Sequence, residues 1–293
     1  MLRPPRVRFR PRRVPRITGL SINRMIPNML TLLALCSGMT AIRFAINGKF
    51  ESAVVAIIVA GVLDGLDGRV ARLLKSTSPF GAQLDSLSDF ICFGVAPAVV
   101  LYLWTMNQFT SFGWALSVFF ATCCALRLAR FNTQLDAVLP SYAYYFFTGV
   151  PAPGGAGLAL IPMYLSFEIG DTIIRSPLFC GAWMTIVAAL MVSRIPTFSM
   201  KRFRVPHHYV VPIMLAVGIV AAFLTTAPWP TLTVVGIAYA ASIPFTVRSY
   251  NRLRRAAEAK AAAEQHAEDA EVPSATITAL PEQRDPSRAN PLG

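Results

Sequence analysis

Along most of this chain, apolar runs alternate with short polar breaks, and the runs approach the ~20 residues a helix needs to cross a hydrocarbon core of ~30 Å. Eight such runs lie at roughly 26–47, 50–72, 84–105, 110–131, 146–167, 177–194, 208–227 and 230–249. Lipid offers the backbone no hydrogen bonds, so each run is expected to satisfy its own as a helix. The expected fold is an all-α integral membrane protein, a bundle of about eight transmembrane helices. Composition agrees: of 293 residues, 54% are hydrophobic, and the mean hydropathy is +0.51. A soluble alternative would have to bury eight helices completely within one small domain. No internal repeat and no soluble globular domain stands out.

Net charge, at +12, changes the picture by its placement. Eight arginines crowd the first 24 residues, with no acid among them. With the N-terminus in the cytoplasm, Arg127, Arg130, Arg194, Lys201, Arg202, Arg204 and the Arg248–Arg255 cluster all fall on the cytoplasmic side. The opposite loops hold only Lys49 and Arg175. This positive-inside pattern predicts both termini inside and argues against nucleic acid as the partner. The basic arm suits anionic headgroups, sets topology, or does both. It does not read as a cleaved signal, because its charged region is long and the first apolar run is long enough to span. Domains are expected at 1–25 (basic cytoplasmic arm), 26–250 (transmembrane catalytic domain) and 251–293 (cytoplasmic tail, alanine-rich and helical, then polar and disordered). Cys36, Cys92, Cys123, Cys124 and Cys180 fall within predicted helices without ligand-like spacing and read as packed small residues. His207 and His208 fall in a hydrated loop with no third ligand nearby.

The candidate chemistry lies in residues 61–94, GVLDGLDGRVARLLKSTSPFGAQLDSLSDFICFG. Eight acids precede position 250, and four of them, Asp64, Asp67, Asp85 and Asp89, share this window. On insertion scales an uncompensated central Asp costs roughly 2.5–3.5 kcal/mol, so intramembrane carboxylates are functional candidates. Asp64 and Asp67 share a helix face, and Asp64, Gly68 and Arg72 form a stripe. Gly81, Asp85 and Asp89 form a matching stripe on the next helix, beyond a short loop. Facing stripes would gather four carboxylates near the cytoplasmic surface. Such a group repels itself unless it holds a cation, and all-oxygen ligation suits Mg²⁺, Mn²⁺ or Ca²⁺. Two ions ~3.5–4 Å apart would suit phosphoryl-type transfer. Gly68 and Gly81 leave room for a ligand, and Arg72 suits a phosphate or a carboxylate. An inert Asp–Arg network and a cation conduit are the alternatives.

This stretch resembles the signature of the CDP-alcohol phosphotransferase family, D-x2-D-G-x2-A-R-x8-G-x3-D-x3-D. Asp64, Asp67, Gly68, Ala71, Arg72, Gly81, Asp85 and Asp89 match every fixed position. The resemblance implies a CDP-linked donor, usually CDP-diacylglycerol, that gives its phosphatidyl group to an alcohol and releases CMP. It implies Asp89 as the base, and Asp64, Asp67, Asp85 and Asp89 as ligands of two divalent ions, Mg²⁺ or Mn²⁺, with Ca²⁺ open at one site. It places the donor against Asn28, Thr31, Asp64, Gly68, Ala71, Arg72, Ser78, Gly81 and Asp85; helix capping is the other use for Asn28 and Thr31. It also implies a homodimer. LDSLSDFICFGVAPA (84–98), LRLARFNT (126–133), YYFFTGVPAPGGAG (144–157) and SRIPTFSMK (193–201) look like the bacterial phosphatidylserine synthase branch, with eight apparent helices where simpler members have six. That likeness implies L-serine as acceptor and the bacterial cytoplasmic membrane as location. Glycerol 3-phosphate, an inositol derivative and choline are the alternative acceptors. Serine carries a carboxylate, so a basic partner is expected, and Arg127, Arg130 and Asn132 are the candidates; topology anchoring is their other use. The prolines and glycines of PAPGGAG are expected to bend the fifth span.

Overall fold

The computed structural model describes residues 22–134, 146–170, 174–198 and 209–271. Most of the basic arm, His207, His208 and the end of the tail lie outside them. The chain divides into two compact units that part between Val247 and Arg248.

The first unit begins with an antiparallel helix pair, α1 (Ile22–Ile46) and α2 (Phe50–Leu73). Alanines make the close packing possible. Ala34, Ala41 and Ala45 of α1 and Ala53, Ala56 and Ala60 of α2 are all buried. The Ser37 hydroxyl donates across the pair to Ala56 O at 2.8 Å. Small residues and interhelical hydrogen bonds are what bind helices where lipid cancels the hydrophobic drive. Gly48, at φ +72°, ends α1, with Lys49 N–H returning to Phe44 O and Gly48 N–H to Ala45 O.

The third predicted span is one helical rod of three parts: α3 (Pro79–Asp89), a π-helical turn (Phe90–Val95) and α4 (Ala96–Trp104). Ala96 N–H reaches back five residues to Ile91 O, and Pro97 has no N–H with which to restore the tighter repeat. A 3₁₀ turn (Met106–Phe109) leads to α5 (Thr110–Gln134).

The fifth predicted span departs from expectation at its start. Phe146–Thr148 is a strand, β1, paired antiparallel with β2 (Pro196–Phe198) in the register Phe146↔Phe198, Phe147↔Thr197, Thr148↔Pro196. Helix follows as α6 (Ala152–Ala159) and α7 (Ile161–Ile169), then α8 (Pro177–Val192). The expected bend at PAPGGAG lies instead at Leu160, before Pro162. Pro151 caps α6 and Pro153 sits in its first turn, where a missing N–H costs nothing. The glycines serve packing: a Cβ on Gly155 would stand 2.6 Å from Met191 Sδ of α8.

Gly149 joins β1 to α6 at φ +79°, and a Cβ there would stand 2.6 Å from Met191 O. Backbone strain of about 1–3 kcal/mol, with the clash added, is expected from Gly149→Ala. Thermal unfolding in detergent should show a lowered midpoint, and an unchanged midpoint would mean that this junction relaxes freely.

α9 (Val210–Thr226) and α10 (Pro228–Glu271) complete the chain, and residues 248–271 of α10 belong to the second unit. α9 buries none of its residues, though it is almost wholly apolar. Such a surface is a liability in water and ordinary against lipid tails. Met25–Ile46, Pro79–Trp104, Ser111–Thr133 and Pro228–Ala256 are long and apolar enough to cross a membrane; α8 and α9 are shorter apolar helices. All eight predicted runs are therefore mainly helical, and the fold is an all-helical membrane fold with one short β ribbon. Of the cysteines, Cys92, Cys123, Cys124 and Cys180 are buried and unbridged, whereas Cys36 is exposed on α1.

Candidate active site

The four aspartates are brought together by the turn between α2 and α3. α2 ends with Ser76 N–H on Ala71 O at 2.9 Å and Lys75 N–H on Arg72 O at 3.3 Å. This is the paired closure that normally has glycine at the left-handed position. Here Lys75 takes it at φ +50°, the described non-glycine residue with positive φ. Three residues on, Ser78 caps α3 by accepting from Gly81 N–H at 3.0 Å, and Pro79 opens the helix. Two sharp ends in succession reverse the chain and set the two acidic stripes face to face.

Asp64, Asp67 and Asp85 each direct a carboxylate oxygen to one place, all within 4.8 Å of one another. Asp67 is only 4% exposed, and the Thr31 hydroxyl of α1 donates to its Oδ2 at 2.5 Å. Asp89 lies one turn deeper, its carboxyl against that of Asp64. Its Oδ1 is buried with no hydrogen-bond partner. The structure thus separates three clustered carboxylates from one set behind them. Clustered oxygens with no nitrogen or sulfur donor among them fit a hard divalent cation.

Beside the cluster is a cavity of about 210 Å³. Asn28 and Thr31 of α1, Asp67, Gly68, Ala71 and Arg72 of α2, Ser76, Thr77 and Ser78 of the turn, and Gly81 and Asp85 of α3 line it. Asp64 does not. Since α1 starts at Ile22, Asn28 sits in its second turn and does not cap it. The two glycines differ. A Cβ on Gly68 meets nothing within 4 Å, so protein packing does not require glycine there. A Cβ on Gly81 would stand 2.8 Å from Asn28 Oδ1, so Gly81 makes room for the Asn28 amide.

Asp89 is followed directly by the π turn, which changes the helical register behind it. Across that turn lies α5: a Cβ on Gly94 would be 3.1 Å from Cys124. One turn along α5, Arg127 is buried (9% exposed), and its Nε has no hydrogen-bond partner. It lies in electrostatic range of Asp89 and above the Phe131 ring, 5.8 Å from the centroid. Its two predicted companions are engaged elsewhere: Arg130 Nη1 donates to Val192 O at 2.6 Å, and Asn132 Nδ2 to Ser86 Oγ at 2.9 Å. Ser76 and Tyr239 escape the sequence reading. Both have a buried hydroxyl without a partner. Ser76 was legible as the start of the Ser-Thr-Ser turn, whereas nothing around Tyr239 sets it apart from other aromatic residues in apolar runs.

Residues 24–185 match the family model described as CDP-alcohol phosphatidyltransferase, and residues 208–244 match a second one, CDP-alcohol phosphatidyltransferase 2. The chain belongs to the CDP-alcohol phosphatidyltransferase family. Among its relatives, the CDP-diacylglycerol–serine O-phosphatidyltransferase of Mycobacterium bovis is 40% identical over 227 residues, 77% of this chain and 79% of that one. The protein of the same name from Mycobacterium leprae is 40% identical over 237 residues, covering 80% of this chain and 79% of its own. The Helicobacter pylori protein of that name is 36% identical over 198 residues, 66% of this chain and 80% of its own. The family is metal-dependent, and the carboxylate cluster is a group that could hold the ion.

Proposed function

We propose that the chain transfers the phosphatidyl group of CDP-diacylglycerol to the hydroxyl of L-serine, giving phosphatidylserine and CMP. The observation that carries this reading is the cluster of Asp64, Asp67 and Asp85 beside a cavity lined by the signature's own Gly68, Ala71, Arg72 and Gly81. The names of the relatives support serine as acceptor.

The cavity receives the nucleotide end of the donor. Arg72 meets its phosphates, and the open space over Gly68 lets the nucleotide approach the backbone. Asn28, Thr31, Ala71, Ser78 and Gly81 shape the same wall. Asp64, Asp67 and Asp85, with Asp89 contributing to one site, are the ligands for two divalent ions, Mg²⁺ or Mn²⁺, with Ca²⁺ an option at one. Such ions, when bound, offset the charge of the pyrophosphate and of the departing phosphate.

Serine's hydroxyl is a weak nucleophile at neutral pH, so a base must accept its proton as it attacks. Asp89 takes that role, and its buried, unpartnered Oδ1 is the acceptor atom. The serine oxygen forms a bond to the phosphorus that carries diacylglycerol. The bond from that phosphorus to the CMP oxygen breaks, CMP leaves, and the proton stays on Asp89 until released. No covalent enzyme intermediate is required. Arg127 forms the acceptor side, while Arg130 and Asn132, predicted with it, hold the same helix end through Val192 O and Ser86 Oγ.

The chain works as an integral membrane protein of the bacterial inner membrane, with both termini and the site on the cytoplasmic face, and as a homodimer. Its catalytic domain spans 26–250, with the arm 1–25 and the tail 251–293 outside the chemistry. The test is a panel of alcohols. Membranes or purified protein are supplied with CDP-diacylglycerol, Mg²⁺ or Mn²⁺, and serine, glycerol 3-phosphate, inositol phosphate or choline in turn. Serine alone should release CMP and yield a lipid product. CMP release with another alcohol but not with serine would reassign the acceptor, and metal-driven ion flux without CMP release would replace the enzyme with a transporter.

A further inference from the structure

Among the described residues, four buried side-chain polar atoms have no hydrogen-bond partner, and three of them belong to one neighbourhood: Asp89 Oδ1, Arg127 Nε and the Tyr239 hydroxyl. They come from α3, α5 and α10. Arg127 lies in electrostatic range of both Asp89 and Tyr239. Tyr239 is held from behind by α6, where a Cβ on Gly154 would stand 3.4 Å from the phenol oxygen. Thr197 Oγ1 of β2, which donates its own proton to Gly149 O at 2.7 Å, is the nearby acceptor for the Tyr239 hydroxyl, but the two do not meet in hydrogen-bonding geometry. Leaving a guanidinium N–H and a phenol O–H unpartnered inside a protein is unfavourable, and native structures rarely do it. Two such buried donors within electrostatic range of each other, one of them also within range of Asp89, indicate a missing acceptor.

The chemistry of the donors says what it is. A guanidinium fork and an added O–H donor match the two oxygens of a carboxylate. A neutral alcohol would leave one of them unsatisfied. We propose that Tyr239, together with Arg127, binds the α-carboxylate of the acceptor amino acid, which directs its hydroxyl toward Asp89 and makes the site selective for an amino acid over a carboxylate-free amino alcohol. The proposal rests on the acceptor reading above and adds Tyr239, from a helix remote from the signature. Selectivity follows because an acceptor without a carboxylate leaves one of the two buried donors unpaired, a stronger discrimination than shape alone provides.

The experiment uses the full chain in detergent with CDP-diacylglycerol and divalent metal, and compares L-serine with serinol, in which the carboxylate is replaced by a hydroxymethyl group. Tyr239→Phe removes one oxygen and keeps the ring on Gly154. KM for serine should rise about tenfold, the effect of losing one hydrogen bond to a charged group, while KM for CDP-diacylglycerol and the thermal midpoint stay where they were. The efficiency ratio of serine to serinol should fall by a similar factor. An unchanged serine KM, or an equal loss for both acceptors, overturns the proposal. Should the variant fail to fold, the unmodified protein decides. L-Alanine, with the carboxylate and no hydroxyl, should compete with serine, and propan-2-amine should not; equal inhibition by the two overturns it. Absence of serine-dependent CMP release from the unmodified protein defeats the acceptor reading and this proposal together. Normal release with an indifferent Tyr239→Phe defeats this proposal alone.

Discussion

Asp89→Asn is expected to remove serine-dependent CMP release almost entirely, by roughly 10²–10⁴-fold if the loss is that of a general base alone. Asparagine preserves the volume and buried position of the side chain but cannot accept the proton that must leave the serine hydroxyl. The structure gives Asp89 an Oδ1 that no protein group engages, while the other three carboxylates cluster in front of it. KM for CDP-diacylglycerol should change little, because Asp89 does not line the cavity proposed for the donor. The folded state should survive, since replacing one of several neighbouring carboxylates with an amide relieves repulsion. Near-normal turnover in this variant would remove Asp89 from its assigned role and shift attention to Asp64, its immediate neighbour.

Chelation of divalent ions should abolish activity, and adding Mg²⁺ or Mn²⁺ back should restore it. Asp64→Asn should lower the rate and raise the metal concentration for half-maximal activity by at least about tenfold, because one of three clustered oxygens loses its charge. A readout independent of turnover is available. Metal that binds the folded state stabilises it in proportion to RT ln(1 + [L]/Kd), so the thermal midpoint of the unmodified protein should climb with added ion. In Asp64→Asn the same titration should lag. An identical metal response in the two proteins would show that Asp64 is not a ligand, whatever its effect on rate.

How much of this was readable before the fold was known differs from residue to residue. The acidic stripes follow from spacing alone, since helical periodicity is a property of neighbouring residues. The turn that makes them face each other was partly readable: Ser78-Pro79 announces a helix start, but Lys75 in a left-handed conformation carries no such mark. Gly81 was assigned to ligand space, and the structure gives that space to the Asn28 amide from another helix. Pro151 and Pro153 were assigned a bend, and they proved harmless because they begin a helix rather than interrupt one. In each of these two cases the residue's local preference was right, and what it is used for depended on a distant partner.

The membrane class, the run-by-run helical plan, the family and the acidic cluster were determined by the amino-acid order itself. Length, hydropathy and i, i+4 spacing are local quantities that survive without any contact. Only the tertiary structure decided that Asp89 stands apart from the three clustered carboxylates, that Arg130 and Asn132 brace the fold while Arg127 keeps a buried Nε without a hydrogen bond, and that Tyr239 lies in range of Arg127. The physical reason is that hydrogen-bond satisfaction belongs to pairs of groups, so an unsatisfied donor is visible only once every possible partner has a position.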